Sequence, residues 1–299
     1  MDGKMKLSKK DKDQFFRLFH SLLIYANLKK GSLKKELEPD DIFHFPVEYL
    51  LDMRMTVYDD PDIIDQFVTN NPYGLNDDEL EIVSNFKDFV RGRFLIVKYL
   101  KKYAVVLSQN ENEGVPYGVL TLNNTFEDML GPYLPVPMET TLLPFKGKIV
   151  YDGVINPYNI RFGSGIKKSF NAAFQKAMAR HGIVTSLPYD EREGETDDLE
   201  LLKVYLKSQY NRDVYWEEIE ELRNKDERLE VYYHQKMGKV HSRDLKKILK
   251  EAGIENGWFG VLDGIIVGCG KTKKELTGNL DGIVPENRKE HVFMFQLKR

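Results

Sequence analysis

The chain has one cysteine, Cys269, among 299 residues, so it forms no intramolecular disulfide. The same count excludes the usual cysteine-based zinc sites. No surplus of either charge stands out: Lys plus Arg number 44 and Asp plus Glu 47, a net charge of −3. That balance provides no global pull toward nucleic acid or an anionic membrane, although it leaves room for a local basic patch. Apolar runs stop at five residues, far below the roughly 20 that a membrane span needs. Met1 to Lys12 is rich in lysine and aspartate and has no apolar segment of signal-peptide length. These absences predict a cytoplasmic protein with no membrane association.

Metal and catalytic signatures are equally sparse. The six histidines (20, 44, 181, 234, 241 and 291) make no HxxxH or HExxH pair. His234 and His241 are separated by Gly238, which predicts a break between them rather than one continuous helix. There is no Gly-x-Ser-x-Gly nucleophile elbow, and Cys269 has no base beside it in sequence. No metal and no cofactor is expected.

What the chain does contain is a composition of 41% hydrophobic and 30% charged residues, that of a globular protein. Residues 1–91 read as a helical layer. Ser8 and Asp11 form a capping pair ahead of an apolar stripe from Phe15 to Ala26, ended by Gly31-Ser32. Pro46 and Pro61 open two further helices, and Asn76 with Glu79 caps a fourth. From Gly92 the period changes. Runs at Arg93–Val97, Tyr103–Leu107, Tyr117–Leu122, Leu142-Leu143, Lys148–Tyr151 and Asn159–Phe162 predict strands. A turn is expected at 110–114, and the prolines of Gly131–Pro137 predict an extended loop. Asp152-Gly153 predicts a tight hairpin.

Residues 92–188 are therefore read as a small antiparallel sheet or partly open barrel with one long helix, Ile166 to Met178. Residues 189–200, with seven acidic side chains against one basic, read as a linker or loop. Residues 201–299 read as a C-terminal α+β region. Its helices are expected at 199–209, 213–233 and 242–252, followed by a hairpin about Asp263-Gly264, a short helix at 272–280 and a closing strand at 292–297. The fold class is α+β.

Several short segments carry a resemblance: Asn71-Pro72, Gly92-Arg93-Phe94, Lys102-Tyr103-Ala104-Val105, Gly131-Pro132-Tyr133-Leu134-Pro135, Leu143-Pro144-Phe145-Lys146, Tyr151-Asp152-Gly153 and Gly163-Ser164-Gly165-Ile166. Over about residues 71–188 the chain resembles an uncharacterised family of prokaryotic cytoplasmic proteins, some of which carry a zinc-binding tail of the SEC-C type. The resemblance implies a prokaryotic cytoplasmic setting and no particular activity. The cysteine cluster of the tailed members is absent, so their zinc role does not transfer.

Three segments are candidates for chemistry. Arg161-Phe162-Gly163-Ser164-Gly165-Ile166-Lys167-Lys168 leads through a small-residue turn into a helix, whose free N–H groups and dipole suit an anion. Arg161, Lys167 and Lys168 would add charge, and Gly163, Ser164 and Gly165 would admit the ligand to the backbone. The bland alternative is an ordinary turn with solvated lysines. Asp152 is a possible base beside it, or simply a turn former. Lys236, Lys239, Arg243, Lys246, Lys247 and Lys250 line a basic helix able to contact nucleic-acid phosphates, or only to be solvated. Gly264–Thr272 (GIIVGCGKT) imitates a phosphate loop, but five residues separate its outer glycines where that motif has four. The apolar stretch Gly131–Pro137 and Leu142–Phe145 is expected to be core rather than a partner patch.

Two functions follow. The first is a non-catalytic binding or regulatory protein that recognises a protein or nucleic-acid partner. The alternative is an enzyme acting on a phosphorylated or other anionic substrate at the Gly163–Lys168 turn, with Asp152, Arg161 and the Ser164 backbone converging in one pocket.

Overall fold

The computed structural model describes residues 5–30, 39, 42, 45–109, 114–190 and 197–298. Contacts divide the chain into two compact units, Met1–Glu195 and Thr196–Arg299. The expected stop at Gly31-Ser32, most of the expected turn at 110–114, and the centre of the acidic 189–200 segment lie outside the described residues.

The first unit is built on a closed ring of strands. Helices α1 (Lys9–Lys30), α2 (Val47–Asp59), α3 (Asp62–Asn70) and α4 (Asp77–Ser84) precede β1 (Val90–Tyr99), β2 (Ala104–Ser108) and β3 (Pro116–Leu120). A short α5 (Phe126–Leu130) leads to β4 (Val136–Phe145), β5 (Lys148–Tyr151), the two-residue β6 (Asn156–Pro157) and the long α6 (Ser164–His181). The ladder runs β1-β2-β3-β5-β4, and β4 pairs back onto β1. All pairs in the ring are antiparallel except β3 with β5, which is parallel. The ring closes as a five-stranded barrel, with α5 between β3 and β4.

The strands alternate between two buried faces. Phe94, Ile96, Ala104 and Val106 join the main core. Their neighbours Leu95, Val105 and Leu107 form a second cluster with Phe174 and Ala177 of α6. The long helix thus covers the outer face of β1 and β2, which is why these strands read as nearly continuous apolar runs. Helix α1 is enclosed as well: every residue from Leu18 to Asn27 is buried. Phe15 stacks on Phe19 and meets Phe86 and Phe145 edge-on, with centroids 5.4–6.0 Å apart. Such aromatic pairs stabilise beyond their area alone. The expected caps are present, Ser8 Oγ accepting from the Asp11 amide and Asn76 Oδ1 from the Glu79 amide.

Three local expectations change. Residues 159–162 form no strand; the bridge to β4 is made by Asn156 and Pro157 instead. The Asp152-Gly153 turn is therefore not the tip of a tight hairpin. Pro137 belongs to β4 rather than to a loop, facing Leu95 across the ladder.

The second unit contains α7 (Asp198–Tyr205), α8 (Gln209–Val214), α9 (Trp216–Lys225), α10 (Glu227–Glu251), β7 (Gly257–Leu262), β8 (Ile265–Gly270), α11 (Lys273–Asp281) and β9 (Phe293–Leu297). The antiparallel sheet has the order β8-β7-β9. The expected 213–233 helix is divided at Asp226, whose side chain caps α10 by accepting from the Arg228 amide. Conversely, Gly238 does not break α10, which continues through it. An added Cβ there would lie 2.3 Å from Phe293 Cβ, so glycine is needed for β9 to approach the helix. The α+β class holds for the whole chain, and no helix among the described residues is long and apolar enough to cross a membrane.

Buried in this unit is a histidine pair, His234 and His291, that the linear sequence keeps 57 residues apart. His234 lies 2.9 Å from both Glu230 and Asp263. His291 stacks on it at 4.8 Å, and neither ring nitrogen of His291 has a hydrogen-bond partner. Burial first, then the neighbouring His234 and Arg288, hold His291 below its ordinary value of 6.5, against opposing pulls from Glu230 and Glu227. Glu230 is itself held down to about 2, chiefly by Arg223.

Two outcomes are expected. Gly238→Ala should destabilise the protein by about 1–3 kcal/mol in denaturant unfolding, because overpacking outweighs the gain in helix propensity. A neutral or stabilising result would show that β9 can simply retreat. For His291 the folded pKa is depressed, so the unfolded chain takes up the proton first and stability falls as pH drops below 6.5. His291→Phe should lose part of that decline in an unfolding series from pH 8 to pH 5 (about three units). Identical slopes for the two proteins would remove His291 as a cause.

Candidate nucleic-acid interface

Helix α10 owes its length to its cap and to one apolar flank. Leu229, His234, Gly238, Ser242 and Leu249 are buried at spacings of five, four, four and seven residues, on the flank that meets β7 and β9. At 100° per residue, Lys236, Lys239, Arg243, Lys246, Lys247 and Lys250 fall within about 100° of the helix circumference. They span about 21 Å along its axis. Lys239, Arg243, Lys247 and Lys250 are exposed, whereas Lys236 and Lys246 are half-buried.

The stripe is almost unneutralised. Among the described residues, only Lys247 of the six has a carboxylate within ion-pair distance, Glu251 at 3.9 Å. Lys246 lies over the Phe295 ring at 5.3 Å, so its stem packs while its ammonium stays at the surface. Beside it is a groove of about 670 Å³ lined by Lys246, Lys247, Lys250, Lys298, Gln296 and the carboxylate-bearing Glu251. Lys298 is a contributor that sequence reading missed. Only the packing of β9 beside α10 brings it to the other lysines, and no local pattern announces that.

The Gly163–Lys168 turn is differently placed. Ser164 begins α6, and Gly163 occupies the cap position without any side-chain cap bond. Arg161, Gly163, Ser164, Gly165, Lys167 and Lys168 are all exposed. Arg161 lies over the exposed Tyr133 ring at 5.7 Å. The structure keeps these residues together as a surface turn and builds no enclosure around them.

Asp152 sits apart, only 3% exposed. It accepts from Tyr58 Oη at 2.9 Å and from the Val154 amide at 3.0 Å, and Arg54 Nε lies 3.5 Å away. Burial pushes its carboxyl above the ordinary range, with Arg54, the Val154 amide and Tyr58 pulling the other way. Tyr58 is raised well above 10, by burial and then by Asp152. Asp152 does form a local turn, through Val154, but a buried one. Its cleft includes Arg54 and Tyr58 of α2, and neither Arg161 nor Ser164 is among the lining residues. The expected convergence of Asp152, Arg161 and Ser164 in one pocket is not what the fold builds. Arg54 and Tyr58, some 95 residues upstream of Asp152, carry no motif that links them to it.

The imitation phosphate loop has a packing explanation. Added Cβ atoms at Gly268 and Gly270 would lie 2.9 Å from Leu280 and 2.6 Å from the Leu276 amide, so both glycines let α11 lie against β8. The Glu275 carboxylate takes the Lys271 amide at 2.8 Å, filling the place an anion would occupy. Cys269 is exposed, and no group of three or more His, Cys, Asp or Glu suited to a metal ion occurs among the described residues. The expectation of core for the apolar stretch has a mixed outcome: Leu142, Leu143 and Phe145 are buried and Leu134 packs on the core, while Tyr133 stands 77% exposed. No family model, curated protein or solved structure matches this chain.

Proposed function

We propose that the protein is a non-catalytic nucleic-acid-binding protein that grips the phosphate backbone with the basic face of α10 and the adjoining Lys298 groove. The observation that carries this reading is a stripe of six cations, five without a carboxylate partner among the described residues, on a chain whose net charge is −3. Unpaired cations held at surface density repel one another, and a row of phosphates relieves that repulsion while releasing counterions. A stripe of about 21 Å spans several phosphate spacings, more than a single small anion needs.

The barrel is not assigned this role, although some five-stranded barrels bind oligonucleotides on the face of the second and third strands. In this chain Val105 and Leu107 of β2 are packed beneath α6, and an added Cβ at Gly118 of β3 would press on Tyr103 and Ile183. That face is already occupied by the chain itself, and a fold supports a function only where its site is open. An enzyme at the Gly163–Lys168 turn finds less support, since that turn is exposed and Asp152 lies in a different cleft.

The test is fluorescence anisotropy with single-stranded RNA, single-stranded DNA and duplex DNA across a salt series. Binding should weaken linearly in log–log form. Replacing Lys239, Arg243, Lys247 and Lys250 with glutamine should lower the salt slope by about 3 for single strands, since each phosphate contact contributes about 0.7. Stability of that variant should stay within about 0.5 kcal/mol of the parent, because all four side chains are exposed. Salt-insensitive binding, or a variant that binds as the parent does, would defeat the assignment. Binding to an acidic protein but to no nucleic acid would move it to a protein partner.

A further inference from the structure

The barrel unit carries a second, independent site. Along the seam where β1 meets β4, helix α2 and the Asp152–Asn156 segment enclose a cleft of about 790 Å³. Its size lies in the range of small-molecule pockets, between about 300 and 1,000 Å³. One part of its wall is apolar, made by Leu51, Met55, Val154 and Ile155. The other is charged, with three guanidinium groups (Arg54, Arg91 and Arg93) against the carboxylates of Glu139 and Asp152.

Three features of this cleft bear on what could occupy it. Gly92 lines it between Arg91 and Arg93, yet an added Cβ there would meet nothing within 4 Å, and its φ lies outside the left-handed region that favours glycine. Neither packing nor backbone demands glycine at that position; its effect is to leave space. Arg54 is 94% buried by its 6% exposure, with Nη1 donating to the Leu50 carbonyl and Nη2 to the Asp152 carbonyl. Its Nε–H makes no hydrogen bond and has only the 3.5 Å approach to Asp152. Arg91 and Arg93, two residues apart on β1, leave the face of the strand opposite to that of Gly92 and belong to the cleft's rim, where Asp59 and Glu139 pair with them.

Paired arginines present planar donor forks that match the oxygens of a carboxylate or phosphate, which a lysine cannot do in two-point fashion. We propose that this cleft binds a small molecule with an oxyanion head and an apolar body. The head meets Arg91 and Arg93 at the rim, and the body lies over Gly92 against Leu51, Met55 and Ile155. The buried Arg54–Asp152–Tyr58 set is the positioning scaffold behind it. It holds α2 at the distance from the barrel that the ligand body needs. The site is separate from the α10 stripe, and either can fail without the other.

The experiment is isothermal titration of the full chain with four probes: inorganic phosphate, phenyl phosphate, 3-phenylpropionate and benzyl alcohol. Phenyl phosphate or 3-phenylpropionate should bind with a Kd of about 1 mM or tighter, and the better of the two identifies the head. Inorganic phosphate and benzyl alcohol should each bind at least about tenfold more weakly, since each offers one half of the recognition. Gly92→Leu fills the cleft and should abolish binding. Arg93→Gln, at an exposed side chain, should weaken it about tenfold or more and serves where Gly92→Leu unfolds. Both variants should keep the parent's thermal midpoint. The proposal is overturned if neither phenyl probe binds, if inorganic phosphate alone binds as tightly as phenyl phosphate, or if binding survives in a folded Gly92→Leu protein.

Discussion

Closure of the strand ring on β1 is the constraint from which the barrel unit's other features follow. β1 pairs with β4 along its first half, from Val90 to Ile96, and with β2 along its second, from Phe94 to Tyr99. A strand so divided between two partners must bend across both, and it leaves the ring without a free edge except where β6 adds to β4. With the ring closed, its interior fills with Phe94, Ile96, Val106 and Val119, and everything else must attach from outside. Helix α6 takes the outer face of β1 and β2. Helix α2 joins the main core through Met53, Val57 and Tyr58, and the cleft forms between it and the β1–β4 seam.

The two units meet their glycines with different needs. In the second unit Gly238, Gly268 and Gly270 are places where a helix and a strand touch so closely that a methyl group would collide. Each one simulates a functional signal in sequence, a helix break or a phosphate loop, and each is explained by contact. Gly92 in the first unit is the opposite case, a glycine with open space around it. A glycine explained by packing has done its work within the fold. Gly163, Gly165, Gly278 and Gly282 are equally open, so it is the cleft around Gly92 that sets it apart.

Charge shows the same division. Among the described residues the ion pairs are scattered over the surface, as with Arg223 to Glu230, Lys146 to Asp11 and Arg91 to Asp59. Exposed pairs of this kind add little stability, typically about 0–1 kcal/mol. What matters more is where unpaired cations gather, and on α10 five of six on one face have no carboxylate partner among the described residues. The buried Arg54–Asp152 pair is a different matter. Burial disfavours both charges, so its members are held by additional donors and acceptors, Tyr58, the Val154 amide and two carbonyls.

By itself the sequence determined whatever depends on neighbours along the chain. The α+β class, the capped helices at Ser8 and Asn76, most of the barrel strands, the β7–β8 hairpin and the cationic face of α10 are all set by residues within a few positions of one another. Periodicity and capping act over one or two turns, so they survive without the fold. Tertiary structure alone decided what joins distant segments. The return of β4 onto β1, the parallel β3–β5 pair, Asp152 against Arg54 and Tyr58, His234 against His291, and Lys298 beside Lys250 each bring together residues far apart in sequence. No local pattern encodes such meetings, because their free energy comes from burying faces of distant segments against one another, which only a whole folded unit can do.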